Sequence, residues 1–131
     1  MTWLYQGNPF EEVGDNYGFV YIITNKTNNR KYIGKKFFWT SKRKQVNKKR
    51  KSYKVESDWK EYWSSSDELK QDVQTLGQEF FTREIIHLCQ NKGTTNYLEA
   101  KEQFTRGVLE NKDMWYNTWI MVKVRRSHIK L

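Results

Sequence analysis

Cysteine, proline and long apolar runs are nearly missing from this chain, and each shortage removes a class of protein. One cysteine, Cys89, leaves no partner for an internal disulfide and too few thiols for a cysteine-only metal cluster. Proline occurs once, at Pro9, and neither an internal repeat nor a linker divides the sequence, so one domain is expected. No apolar stretch approaches the ~20 residues of a membrane span. The first residues, Met1 to Gln6, lack a basic region followed by an apolar block, so no secretory signal is expected. A soluble, cytoplasmic protein with no membrane partner is the expectation. Acidic residues are also scarce: 15 Asp and Glu face 24 Lys and Arg, a net charge of +9.

Aromatic residues are abundant, with six Trp, eight Tyr and seven Phe. In a chain of 131 residues some must build the core, because each buries a large area, and others could stack on bases. The positive charge is concentrated. Residues 35–54 hold ten Lys or Arg and no Asp or Glu, interleaved with Phe37, Phe38, Trp39 and Tyr53. Such a run is the electrostatic footprint of a nucleic-acid partner. It lacks the broad apolar face that a membrane-surface helix needs.

The pattern predicts an α/β (α+β) domain in the order β-β-α-β-α, with a possible extra terminal strand. Residues 1–16 read as an irregular lead-in with a turn at Gly7-Asn8-Pro9. Residues 18–24 and 30–34 read as the strands of a hairpin, with Tyr21 roughly opposite Tyr32 and Phe19 roughly opposite Gly34. Alternation along the strands lets the two tyrosines share a face. Residues 40–54 are expected to form a short helix and a mobile basic loop. Ser57 to Trp63 reads as a helical turn. Ser65 and Glu68 have capping-box spacing and open a helix carrying Leu69, Val73 and Leu76, ended by Gly77. A third strand over 80–89 precedes a helix from about Asn96 to Leu109, with Tyr97, Lys101, Phe104 and Val108 on one stripe. Trp119 to Val124 completes the expected elements, and residues 125–131 form a basic tail.

Two tyrosines, a glycine and a lysine converging in a basic protein suit a phosphodiester. Its hydrolysis needs an activated water, a cation for the developing charge and help for the leaving oxygen. The segments Gly18-Phe19-Val20-Tyr21 and Tyr32-Ile33-Gly34-Lys35, eleven residues apart from tyrosine to tyrosine, resemble the signature of the GIY-YIG nuclease superfamily. Gly18 stands three residues before Tyr21, where the family places its glycine two before. The Ser-Ser helix ending in Gly77, the Phe-x-x-Glu-Ile-Ile strand, Glu102-Gln103-Phe104 and Tyr116-Asn117 follow in the order of the phage homing-type members. The resemblance spans about residues 17–120 and implies a three-stranded antiparallel sheet flanked by helices. It also implies metal-dependent cleavage of DNA, double-stranded by expectation.

By this resemblance Tyr21 and Tyr32 are catalytic, either one orienting or deprotonating the attacking water, and Lys35 assists. Glu102 is the candidate ligand for Mg2+ or Mn2+, a hard cation that can keep several waters on one carboxylate. Its ordinary alternative is an ion pair with Arg106 one turn on. Gly34 and Asn117 are expected to support the site. The family's catalytic arginine falls in register on Lys42, with Arg43 adjacent; the two are not equivalent at a bidentate phosphate contact. Lys36, Lys42, Lys44, Lys48, Lys49 and Arg50 are expected to grip the DNA backbone. His87 and His128 are not expected to bind metal, and Trp59, Tyr62 and Trp63 are expected in the core or an interface. Specificity would come from dimerisation (a homodimer is possible) or from a partner. In a phage-encoded protein, the host cytoplasm would be the compartment. The rival expectations are a non-catalytic nucleic-acid-binding protein on the same scaffold and a basic structural protein.

Overall fold

The computed structural model describes residues 2–46 and 49–130. Its strands are β1 (Leu4–Tyr5), β2 (Asn8–Pro9), β3 (Gly18–Asn25), β4 (Arg30–Phe37), β5 (Trp39–Val46), β6 (Lys49–Glu56) and β7 (Phe81–Cys89). Its α-helices are α1 (Asp67–Leu76) and α2 (Lys92–Thr105). The class is α+β. The central sheet has five strands in the order β2-β1-β7-β3-β4, with β3 antiparallel to both neighbours and β1 parallel to β7.

The sheet is thus mixed and five-stranded, where three antiparallel strands were expected. The difference comes from the lead-in, which folds back at Gln6 and Gly7, both at positive φ, and adds β1 to the edge of β7. Trp3 anchors it. Its ring is buried edge-on against Phe19 and Tyr21, and its Nε1 donates to the Trp59 carbonyl at 2.7 Å. Burying so large a ring while satisfying its one donor fixes a segment that local propensity leaves irregular.

Six consecutive residues of β3, Gly18 to Ile23, are buried, as expected of a strand covered on both faces. One cover is aromatic, with Trp3, Phe19, Tyr21, Phe38, Trp59 and Tyr116 packed with Leu69 and Val73 of α1. On the other side Val20, Ile22, Ile33, Cys89 and Val108 form a smaller aliphatic cluster. Helix α2 packs here against β3, β4 and β7.

Several local expectations are corrected. The β3–β4 ladder pairs Tyr21 with Gly34 and Ile23 with Tyr32, two residues from the expected register. The loop sets it: the ladder closes at Asn25 and Arg30, Asn25 Oδ1 accepts from Thr27, and Asn29 adopts positive φ. A two-residue slip preserves the faces, so the tyrosines remain neighbours. Residues 40–46 and 49–54 are not a helix and loop but paired strands of the β5–β6 ribbon, which forms a sheet of its own; residues 47–48 of that expectation lie outside the described residues. Ser66, not Ser65, caps α1, its Oγ accepting from the Leu69 amide at 3.2 Å.

Helix α2 starts earlier than expected, capped by Asn91, and buries Thr94, Thr95, Ala100 and Gln103, while Phe104 is exposed. Small and polar residues let the helix approach the sheet closely, so the apolar stripe misplaces its inner face. Trp119 to Val124 joins no sheet. The tail turns at Arg126–His128 and docks on α2, where Asn91 Nδ2 donates to the His128 carbonyl. Among the described residues, no helix is long and apolar enough to cross a membrane.

Candidate active site

The outer edge of β4 organises the site. Residues 114–117 run alongside it: Lys31 N donates to the Met114 carbonyl, and Tyr116 N to the Lys31 carbonyl, both at 2.8 Å. Asn117 then extends the ladder with its side chain. Its Oδ1 accepts from Ile33 N at 3.1 Å, and its Nδ2 donates to Ile33 O at 2.8 Å. Gln103 Nε2, reaching in from α2, donates to the same carbonyl at 2.9 Å. Beside this patch a cleft of about 510 Å³ opens, lined among others by Tyr21, Tyr32, Lys35, Tyr62, Ser65 and Glu99.

Gly34 lets the two tyrosines meet. A Cβ there would stand 2.5 Å from Tyr21 Oη and 2.7 Å from Tyr32 Cε1, far inside contact distance. With no side chain in the way, the rings lie 6.2 Å apart at 32°. Tyr62 meets Tyr21 edge-on, ring centroids 6.1 Å apart. Burial, and then the neighbouring Tyr62, Tyr32 and Glu99, hold the Tyr21 phenol well above its ordinary range. The Tyr32 phenol is also raised by burial, but it is partly accessible. Its hydroxyl shares a 3.0 Å hydrogen bond with Ser65 Oγ, which works against the rise.

Three carboxylates line the cleft, Glu99 from α2 and Asp67 and Glu68 from the start of α1, and Glu102 is not among them. Thr95, Glu99 and Gln103 follow one another at four-residue spacing, and the outer two are buried, so Glu99 lies on the inner stripe. Burial pushes its carboxyl above the usual range, with Lys35 Nζ at 3.7 Å pulling the other way. Lys35 is oriented by donating to Asn96 Oδ1.

Glu102, three residues on, is turned about 60° from Glu99 by the helical repeat. Its Oε1 is 2.9 Å from His87 Nε2, and its Oε2 accepts from Arg106 Nε at 2.8 Å. Burial alone would raise its carboxyl, but Arg106 and His87 outweigh it, so the net shift is downward. Glu102 does not line the cleft, and the ion pair noted as its ordinary alternative is what forms.

The structure therefore brings Tyr21, Tyr32, Gly34, Lys35 and Asn117 to one place and adds Glu99, Tyr62, Ser65 and Gln103. Glu99 was visible in the sequence as the second acid of its helix. Only the true helix phase, set by buried threonines and a glutamine, separates it from Glu102. Lys36 does not face outward for DNA: alternation along β4 turns it to Asp58 (2.7 Å) and over the Tyr62 ring (4.2 Å). Lys42 and Arg43 do not line the cleft, since they stand on β5. Lys49 is exposed on β6. Lys44 and Arg50 occupy ladder positions in that hairpin, opposite Lys51 and Gln45. Lys48 lies outside the described residues.

The family described as "Putative endonuclease segE, GIY-YIG domain" matches this chain over residues 3–120. No curated protein and no solved structure matches it.

Proposed function

Because this chain belongs to the SegE-like branch of the GIY-YIG nuclease superfamily, we propose that it hydrolyses phosphodiester bonds of double-stranded DNA with Mg2+ or Mn2+. Glu99 rather than Glu102 would hold the ion. The observation that carries this reading is the convergence of Tyr21, Tyr32, Lys35 and Glu99, from three separate elements, on one cleft.

The donor set suits a hard cation. The largely buried carboxylate of Glu99, held above its usual pKa by a burial cost that Lys35 does not fully offset, gains from a second positive charge, and Asp67 and Glu68 line the same cleft. Phenol and amide oxygens face the same cleft, leaving room for coordinated waters. Among the described residues, no three His, Cys, Asp or Glu gather as a softer caged site would require. When bound, the ion supplies charge neutralisation and a more acidic water.

Lys35 meets the anionic phosphate at the mouth of the cleft and stabilises its charge as the P–O bond breaks. Tyr32 takes a proton from the attacking water as its own passes to Ser65 Oγ, which releases its proton to solvent, and the departing oxygen takes a proton from solvent. Tyr21, buried against the Tyr62 ring, is the poorer base and positions the phosphate. Asn117 and Gln103 hold the Ile33 peptide, and with it Tyr32 and Gly34, at the edge of β4.

The rival reading, a non-catalytic DNA binder, draws on one observation. No arginine lines the cleft among the described residues, so Lys35 is its one cation. Supercoiled plasmid with Mg2+ decides between them. Wild type and Glu102→Gln should nick or linearise it, while Glu99→Gln and chelated wild type should not. Undiminished cutting by Glu99→Gln would remove that residue from the site. Retarded but uncut DNA from every protein would establish the binder.

A further inference from the structure

The hairpin β5–β6 has no counterpart role in the cleft chemistry, and its construction points to a different task. Its strands pair over eight residues each, from Trp39 opposite Glu56 to Val46 opposite Lys49. At ~3.4 Å per residue that is a ribbon about 27 Å long. It belongs to no larger sheet. Its attachments gather at the base: Trp39 Nε1 donates to the Asn16 carbonyl, Trp59 Nε1 to Glu56 Oε1, and Ser57 Oγ to the Phe37 carbonyl. Beyond the base Lys42, Arg43, Lys49, Ser52 and Tyr53 are exposed, and Lys54, nearer the base, is exposed beside the Tyr17 ring.

The alternation of side chains places Arg43 and Lys54 on one face of the ribbon and Lys42, Lys49 and Tyr53 on the other. Among the described side chains toward its outer half, neither face offers an apolar stripe on which another protein could pack. Cations on both faces suit a partner that surrounds the ribbon rather than one that touches a single side.

We propose that β5–β6 is an arm that enters the major groove of duplex DNA and carries much of the affinity for it. This rests on the nuclease reading for its substrate but not on which residues cut. A two-stranded ribbon, with strands ~4.8 Å apart and side chains on both faces, fits the major groove, about 12 Å wide. The minor groove, about 6 Å wide, excludes it. The major groove of an RNA duplex is too narrow and deep to read in this way. Groove walls carry phosphates on both flanks, matching the distribution of Lys42, Arg43, Lys49 and Lys54.

The test uses the full chain with Glu99→Gln, so that DNA is bound and not cut, on a labelled duplex. Dimethyl sulfate should find guanine N7, in the major groove, protected, and adenine N3, in the minor groove, unprotected. Replacing Lys42, Arg43, Lys49 and Lys54 by Ser should remove that protection. It should also flatten the dependence of log affinity on log salt by about 0.9 per lost phosphate contact. Four contacts amount to about a hundredfold smaller loss of affinity for this variant between 50 and 200 mM salt, a range over which such dependence is usually compared.

Protection at adenine N3, an unchanged salt slope, or equal competition by duplex RNA would overturn the arm. The footprint of the protein with an intact arm decides the matter even if the four-fold variant misfolds. Persistent cutting by Glu99→Gln in a parallel assay would sink the assignment of the cleft and leave the arm standing.

Discussion

Removing the Asn117 side chain tests the edge of β4 most directly. In Asn117→Ala, Ile33 N loses its acceptor in the buried interior, while Ile33 O keeps Gln103. A buried donor without a partner costs about 1–3 kcal/mol, and the second lost hydrogen bond about 1 kcal/mol more. The sum, roughly 2–4 kcal/mol, is a large share of the ~5–15 kcal/mol that holds a domain together, yet it leaves the chain folded. For a domain of this size the melting temperature should fall by about 10 °C.

Gln103→Ala is the internal control. It removes one of two donors to a carbonyl that remains satisfied, so its cost should be about 1 kcal/mol. Urea unfolding of the three proteins, read by circular dichroism, gives the comparison. Equal midpoints for Asn117→Ala and wild type would show that Ile33 N finds water or another acceptor. The edge-strand role of Asn117 would then be wrong. So would an effect of Gln103→Ala larger than that of Asn117→Ala.

Other expectations follow from the same geometry. Gly34→Ala forces a methyl group against Tyr21 Oη and Tyr32, and Tyr21 is walled in by Trp3, Phe19 and Tyr62. A loss of about 1–3 kcal/mol by urea titration, with loss of cutting, is expected, and a fully active variant would refute the crowding. Glu99 has a folded pKa above its ordinary 4.5, so the folded state holds more protons than the unfolded one just above that value. Stability therefore falls as pH rises through this window. Glu99→Gln should melt higher than wild type at neutral pH, with the gap closing below 4.5. A lower melting point at neutral pH would contradict the sign. Glu102 is shifted the other way: its contribution is present at neutral pH and is lost as pH falls through its lowered pKa. Because Arg106 is well exposed, Glu102→Gln should cost under about 1 kcal/mol in thermal melts.

Much of the site could be read directly from the chain. The spacing of Tyr21, Tyr32 and Gly34 survives a two-residue error in register, because faces repeat every second residue. The family resemblance points to Asn117, though not to its grip on Ile33. The hairpin at 39–56 stayed hidden because ten cations within residues 35–54 mask the β signal of Trp39, Thr40, Tyr53 and Val55. The lead-in hid its strand for a related reason. A two-residue strand has no period to detect, and β1 exists only because β7 presents an edge and Trp3 finds a pocket.

What the sequence determined alone was composition and local order: a basic chain, a β3–β4 hairpin with paired phenols, and two helices around a third long strand. Which acid faces those phenols was decided by tertiary structure. Glu99 and Glu102 are chemically identical and three residues apart, and nothing local distinguishes them. Only the packing of Thr95, Ala100 and Gln103 against the sheet turns the helix so that one carboxylate enters the cleft and the other meets His87 and Arg106.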